Sequence, residues 1–504
     1  MRVLLFRPKP DKETIGLQNV MICEPLELEY IASNVEAQGH HCRIVDMILE
    51  KESVAYFVRK YRPHVVGITG YISHVNIMKG YAAQAKRVDR RIRTIIGGVH
   101  AEVNPQDFVS PDVDYIIRAN GLRTFMQILD GIGEALQKQR ENAGLQSTVG
   151  SRTCCATTAQ NAGQSVSLIA AEKEIISRIP GVYGADKPAP KKELSFSYRY
   201  PDREKVKKYR AHYYYMFHRN CTLIKTSFGC PYNCKFCFCR QVMDDQYFAR
   251  SLEDIVEELS QIKETEIYIV DDDFLVGRQR MLDFCDLLEQ RQIHKKYLIY
   301  GRADFIAANE DVIRRMKQVG LRAVIVGLES CDSRQLDDYN KRTNVQINEK
   351  AVGILKKYDV ECYGTFILGL DWTWADFYAL YRWIKKLGLV FVNLQPLTPL
   401  RGTDIYEKYR PRFIVREDEY EKWDLAHLVV RPEKISVRRY YWYTMVLYYL
   451  ITANPVSAWY MVKKYGLHDT LKLSWGALKV NNQYWKKLIE GCNYSEGTAR
   501  APEA

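Results

Sequence analysis

Cys230-Pro-Tyr-Asn-Cys234-Lys-Phe-Cys237 sets three thiols at C-x3-C-x2-C spacing, with the aromatic Phe236 just before the last. A structural zinc site closes with four ligands, commonly two separated pairs, because the tetrahedron must be complete before it can hold a fold together. No second C-x2-C or H-x3-H pair accompanies this run. Iron–sulfur clusters are also held by cysteine thiolates, and a four-iron cluster bound by only three of them keeps one iron open to a substrate or cofactor. Cys239, two residues on, can supply a fourth sulfur, so a zinc or closed-cluster knuckle stands as the alternative.

Around this loop, from Cys221 to about Pro399, strands and helices alternate. Cys221 to Thr226 reads as the strand that delivers the loop, and Leu252 to Ile262 as a helix. Ile267 to Val270 ends at Asp271-Asp272-Asp273, Tyr297 to Tyr300 at Gly301-Arg302, and Arg322 to Val326 at Gly327-Leu328-Glu329. Glu361 to Ile367 ends near Gly369, and Val390 to Leu394 at Gln395-Pro396. Six strands thus carry polar residues at their carboxyl ends, where barrels of alternating strand and helix place their catalytic groups. A carboxylate row at a strand end can also bind magnesium, but no G-x-x-x-x-G-K-[ST] phosphate loop accompanies it.

Upstream, the first 136 residues alternate in the same way. Val3 to Phe6, Cys42 to Val45, His64 to Ile68, Thr94 to Ile96 and Asp114 to Ile117 read as strands. Leu26 to Gln38, Val75 to Val88 and Arg123 to Leu136 read as helices between and after them. The pattern predicts an α/β domain with a doubly wound parallel sheet, which binds ligands outside the carboxyl ends of its strands. Two of those ends are rich in small residues: Gly67-Ile-Thr69-Gly70-Tyr71-Ile-Ser73 and Gly97-Gly98-Val99-His100. Glycines there let the backbone approach a flat or phosphate-bearing ligand closely; as plain turns they would look the same.

The cysteine run resembles the signature of the radical SAM superfamily, and the six strand–helix units resemble its partial (β/α)6 barrel. The upstream block resembles the cobalamin-binding domain that precedes many such barrels, on Pro25-Leu-Glu-Leu-Glu-Tyr30-Ile-Ala, Gly39-His40 with Asp46, and Gly97-Gly98-Val99-His100-Ala101. The D-x-H-x-x-G motif of other cobalamin enzymes is absent, since Met47 and Ile48 follow Asp46, and the family's G-E-G-E reads Ala119-Asn120-Gly121-Leu122. The resemblance implies a [4Fe-4S] cluster on Cys230, Cys234 and Cys237, S-adenosylmethionine on its open iron, and cobalamin. Bound S-adenosylmethionine presents a cationic amino group, a carboxylate, ribose hydroxyls and an adenine edge, which call for acceptors, a guanidinium, a carboxylate and backbone groups. By position, Asp271, Asp272 and Asp273 match the amino group, Arg302 and Glu329 the carboxylate and ribose, and Phe236 with the backbone near Ile367 the adenine; Gln395 is a further residue implied for S-adenosylmethionine. An ordinary surface ion pair or helix cap is the plain alternative for each. Thr69, Gly70, Tyr71, Ser73, Gly97, Gly98, Val99, His100 and Gly121 are the residues implied for cobalamin.

The implied organisation is a cobalamin-binding domain over 1–136, a linker with a partly helical insertion over 137–215, a radical SAM core over 216–400, and a helical, aromatic-rich region over 401–504. In the linker, Cys154-Cys155 reads as incidental rather than as a ligand pair. Trp423-Asp-Leu-Ala-His427-Leu-Val-Val-Arg431-Pro432 resembles the tail of cobalamin-type enzymes acting on hydrophobic polycyclic substrates, such as hopanoid methylases and the anaerobic magnesium-protoporphyrin cyclase. The run Tyr440 to Ile451 is too short to span a bilayer; it can pack over the barrel mouth or make a peripheral membrane contact, flanked by Arg438, Arg439, Lys463 and Lys464.

With 504 residues and 47% hydrophobic side chains, two or three buried cores are expected. Thirteen cysteines, an odd and scattered set, are no disulfide framework and point to a reducing cytoplasm. The net charge of +12 could serve nucleic acid or an anionic membrane surface, but it is spread along the whole chain, which favours a plain solvated surface and no nucleic-acid partner. The family implies a 5′-deoxyadenosyl radical that takes hydrogen from an unactivated carbon, followed by methyl transfer from methylcobalamin, with flavodoxin or ferredoxin as electron donor. Radical cyclisation, ring contraction or hydroxylation without methyl transfer is the second enzyme reading. A cluster-containing sensor or binding protein is the third.

Overall fold

The computed structural model describes residues 1–16, 20–147 and 170–489. Cys154-Cys155 lies outside the described residues. The chain forms two compact units, one made mainly of 27–193 with residues 1–9, the other mainly of 206–504 with residues 10–26.

The first unit is built on five parallel strands, β1 (Arg2–Arg7), β2 (His41–Asp46), β3 (Val65–Thr69), β4 (Arg93–Gly97) and β5 (Tyr115–Ile116), in the order β2-β1-β3-β4-β5. Helices α1 (Leu26–Ala37), α2 (Val54–Tyr61), α3 (Val75–Val88), α4 (Val99–Val103) and α5 (Gly121–Ser147) intervene or follow. The strands are continuous apolar runs because both faces of a parallel sheet are covered. Leu4, Leu5, Phe6, Val65, Val66, Ile95 and Ile96 are all buried. This order reverses direction between β1 and β3, and doubly wound sheets bind their ligands at that switch point.

The stretch read as a linker is more structured than its composition indicates. Helix α5 runs on to Ser147, and a further helix over 170–177 returns to the sheet edge. There the buried Glu172 accepts from Arg93 at 2.6 and 2.9 Å and from the Tyr115 hydroxyl at 2.6 Å, and Val182 forms a bridge with Ile117. This helix is the partly helical piece expected near Ala170 to Ile179; it buries Ile176 along with Glu172, and the long-range contact of that one carboxylate leaves no spacing to read.

The second unit carries six parallel strands, β6 (Thr222–Ile224), β7 (Glu266–Ile269), β8 (Lys296–Gly301), β9 (Leu321–Glu329), β10 (Glu361–Leu368) and β11 (Phe391–Pro396), lying side by side in chain order. Helices α6 (Leu252–Gln261), α7 (Arg278–Gln290), α8 (Glu310–Gln318), α9 (Val345–Lys357) and α10 (Trp374–Leu387) alternate with them. Strictly sequential parallel order with a helix in each crossover is the topology of an open barrel.

Three helices follow: α11 (Val437–Thr452), α12 (Pro455–Tyr465) and α13 (Leu467–Ile489). The aromatic run predicted to pack or dip into a membrane is α11, and it packs. The Tyr440 hydroxyl donates to the Leu368 carbonyl at 3.1 Å, and the Tyr448 hydroxyl donates to the Leu394 carbonyl at 3.0 Å. Both carbonyls belong to β10 and β11, so α11 is fastened to the barrel by its tyrosines. No helix among the described residues is long and apolar enough to cross a membrane.

Candidate functional site

The cysteine loop springs from β6, and its root is tied to the next strand. Asp271, at the end of β7, accepts the Thr226 backbone N–H at 2.7 Å, the Thr226 hydroxyl at 2.5 Å and the Ser227 hydroxyl at 2.7 Å. The first of the three aspartates therefore has both oxygens engaged in splinting the loop. Ser227-Phe228 then pairs antiparallel with Phe248-Ala249. Farther along, Asn340 donates to the carbonyl and the side-chain oxygen of Asn233 at 3.0 Å each, and Lys235 N–H donates to the Tyr339 carbonyl at 3.0 Å.

Within the loop Cys234 is buried, and Cys230 and Cys237 are half-buried. Burial pushes the Cys230 thiol up to about 12 and raises Cys237 as well. Such thiols ionise when a metal centre supplies the compensating charge. Among the described residues no three His, Cys, Asp or Glu side chains converge as the ligands of a single ion do; the sulfurs holding one cluster each serve a different iron. The Cys239 thiol is pushed up by burial and then by the nearby Asp272 carboxylate. Asp272 is exposed and lies 3.7 Å from the Lys225 ammonium.

Asp273 is the aspartate that faces inward with capacity to spare. It is buried; one oxygen accepts the Leu275 N–H at 3.3 Å, and the other has no hydrogen-bond partner. Burial pushes its carboxyl up to about 7, against the pull of Arg302 and Lys341. An unmet buried acceptor is costly unless a ligand completes it, and the ammonium of S-adenosylmethionine is a donor of the required kind.

Cations gather beside it. Glu329 sits at a register shift of β9 with φ of +60°; such bulges re-aim side chains next to active sites. It accepts from the buried Lys341 ammonium at 2.7 Å. Arg302 directs its fork to Asp304 at 2.9–3.3 Å and to the Lys341 carbonyl at 2.6 Å. A further N–H reaches Cys234 Sγ at 4.0 Å, and the guanidinium lies 3.7 Å over the Tyr232 ring. Phe236 meets Tyr339 edge-on at 5.4 Å, with the Lys341 ammonium 5.9 Å from its ring. Ile367 and Gln395 are register partners at the ends of β10 and β11.

Phe236, Asp273, Arg302 and Glu329 therefore gather at the cysteine loop, whereas Asp271 is committed to its root. Lys341, Tyr232 and Tyr339 were not singled out from the sequence. Lys341 stands in a loop with no motif of its own, and only the fold carries it to Glu329.

In the first unit, the loops predicted to cradle a ligand meet at the sheet's carboxyl edge. Gly98 has φ of +108°, and a Cβ on it would lie 2.7 Å from Thr69 Oγ1 and 2.8 Å from the Gly70 carbonyl. Its conformation is one that essentially only glycine adopts. Tyr71 points outward, 65% exposed. His100 is buried, with Nε2 2.8 Å from Asp107. His74 accepts the Tyr71 N–H at 3.2 Å on Nδ1, which places its proton on Nε2, and that buried atom has no partner. Burial pushes its pKa down to about 4, so the ring is neutral. A buried donor beside a glycine-lined cradle suits the polar rim of a corrin. Asp46, where other cobalamin enzymes begin their histidine motif, accepts from Arg7 at 3.1 Å and from the Ile48 N–H at 3.1 Å.

Comparison with known proteins agrees with this division. Residues 14–129 match the family described as B12 binding domain, and residues 224–384 match the radical SAM superfamily. The chain is a radical SAM enzyme that carries a B12-binding domain. It is 26% identical over 447 residues to the hopanoid C-3 methylase of Methylococcus capsulatus, covering 88% of this chain and 78% of that one. It is 21% identical to the anaerobic magnesium-protoporphyrin IX monomethyl ester cyclase of Rubrivivax gelatinosus, covering 86% and 74%. Among solved structures it resembles the cobalamin-dependent S-adenosylmethionine radical enzyme OxsB, with a TM-score of 0.64 at 14% identity over 97% of this chain and 80% of that one. That last likeness speaks to the fold.

Proposed function

We propose that this protein methylates an unactivated carbon of an apolar, polycyclic small molecule. The observation that carries the reading is one chain holding both a three-thiol loop beside an unmet buried carboxylate and a B12-type cradle. When bound, the [4Fe-4S] cluster with S-adenosylmethionine supplies a 5′-deoxyadenosyl radical, and cobalamin supplies a transferable methyl group. Cys230, Cys234 and Cys237 would hold the cluster. Asp273 would accept the amino group of S-adenosylmethionine, and the Lys341 and Arg302 cations would stand by its carboxylate. Glu329 and Phe236, with Ile367 and Gln395, would line the ribose and adenine side. Thr69, Gly70, Ser73, Gly98, Val99 and Gly121 would border the corrin, with Gly98 keeping the backbone low enough for it to lie flat. The relative named a methylase supports methyl transfer, and the relative named a cyclase supports the second reading, a cobalamin-assisted cyclisation. A low-potential donor of flavodoxin or ferredoxin type and a reducing cytoplasm complete the proposal.

The test is anaerobic reconstitution with iron, sulfide and cobalamin, then dithionite and S-adenosylmethionine. Product analysis would seek 5′-deoxyadenosine and S-adenosylhomocysteine, both lost in Cys234→Ser. Deoxyadenosine formed with the native substrate but without S-adenosylhomocysteine would replace methyl transfer by the cyclase-type reading. Neither product would remove both.

A further inference from the structure

Helix α13 is arranged inside out. Its buried face carries Thr470, Gly476, Asn481, Tyr484 and Leu488. Its outward face carries Leu467, Leu471, Trp475 and Leu478, which recur at three- and four-residue steps along one stripe and are 60%, 59%, 64% and 44% exposed. A surface helix ordinarily turns its apolar stripe to the core and its polar side to water. Helix α12 adds Val456 and Trp459, 76% and 71% exposed, and none of its residues is buried. Several large side chains, two of them tryptophans, are too many to be scattered surface residues and mark a contact surface.

The charges on these helices choose the partner. Lys463 lies one turn beyond Trp459, Lys479 follows Leu478, and both are exposed. Asp469 is the one carboxylate between residues 437 and 489, and it is already paired with Arg219. Apposing this face to a second copy would bring like charges together. An anionic lipid surface, by contrast, takes up lysine ammonium groups at its phosphates and tryptophan rings at headgroup level. Neither helix can cross a bilayer, so the contact is interfacial.

We propose that α12 and α13 dock the protein on the surface of an anionic bilayer, with Trp459, Trp475 and the leucine stripe in the headgroup region and Lys463 and Lys479 at lipid phosphates. This assignment is independent of the reaction proposed above. The full chain is sedimented with vesicles of phosphatidylcholine alone and with vesicles containing phosphatidylglycerol, at low and high salt. It is expected to bind the anionic vesicles, with a blue shift of tryptophan emission and weaker binding in salt. Each basic residue near such a surface is worth roughly a fivefold factor. Trp459→Ser with Trp475→Ser, and separately Lys463→Glu with Lys479→Glu, should each lower vesicle binding about tenfold or more, with circular dichroism and 5′-deoxyadenosine formation unchanged. Failure of the parent chain to bind anionic vesicles at low salt overturns the proposal. So does equal binding by both variants, or a dimer without lipid that the same substitutions dissociate.

Discussion

Three adjacent aspartates have three different fates, and burial and partners decide them. Asp271 is a splint, Asp272 is exposed beside Lys225, and Asp273 is a buried acceptor with an oxygen to spare. Asp271→Asn would present an N–H where two hydroxyl donors now point, so it should cost about 1.5–3 kcal/mol of stability, read by thermal melting of the apo chain. Asp273→Asn should leave the melting temperature near the parent value or higher, and weaken S-adenosylmethionine binding. The pH dependence separates them further. Burial holds Asp273 protonated below about 7, and an ammonium ligand requires the carboxylate, so binding expels a proton there. Affinity should therefore rise about tenfold per pH unit towards 7 and level off above it, whereas Asp273→Asn should give a flat profile in equilibrium binding. The motif could be read from sequence, but which aspartate serves the ligand depends on where Thr226 and Ser227 sit.

At the scale of elements, most strands were legible because a parallel strand covered on both faces has to be apolar along its length, as Val3–Phe6 and Val65–Ile68 are. Glycines closing such strands were legible too, though not which of them is irreplaceable. Gly98 is: Gly98→Ala meets both a backbone region closed to alanine and the Thr69–Gly70 loop at 2.7–2.8 Å. The change should cost about 1–3 kcal/mol and abolish retention of cobalamin, followed by its visible absorption after gel filtration. What could not be read were contacts made by a single side chain across a long stretch of sequence. Glu172 anchors the edge of the first sheet, and Lys341 meets Glu329; neither leaves a periodicity or a spacing. The Trp423–Pro432 string is similar. Asp424 accepts the backbone N–H groups of Ile15, Ala426 and His427 and pairs with the His427 ring at 2.9 Å, so it braces the chain whatever the substrate.

On the scale of the whole molecule, each unit has its own sheet and buried core. A ligand that binds one folded unit and not its unfolded form stabilises it by mass action, about 2.7 kcal/mol at a hundredfold excess over its dissociation constant. Cobalamin should accordingly raise the melting of the first unit and leave that of the second in place, seen by calorimetry with limited proteolysis to tell the two apart; an equal shift of both would contradict the assignment. The splinted loop also bears on what gives the cysteine-bearing segment its shape. A zinc finger is unfolded until its metal arrives. Here Asp271, Asn340 and the Tyr339 carbonyl hold the cysteine-bearing segment by bonds that involve no iron. The bonds that shape this segment thus come from the chain itself, so Cys234→Ser should leave the melting of the second unit near the parent value, whereas a loop shaped by its metal would melt lower.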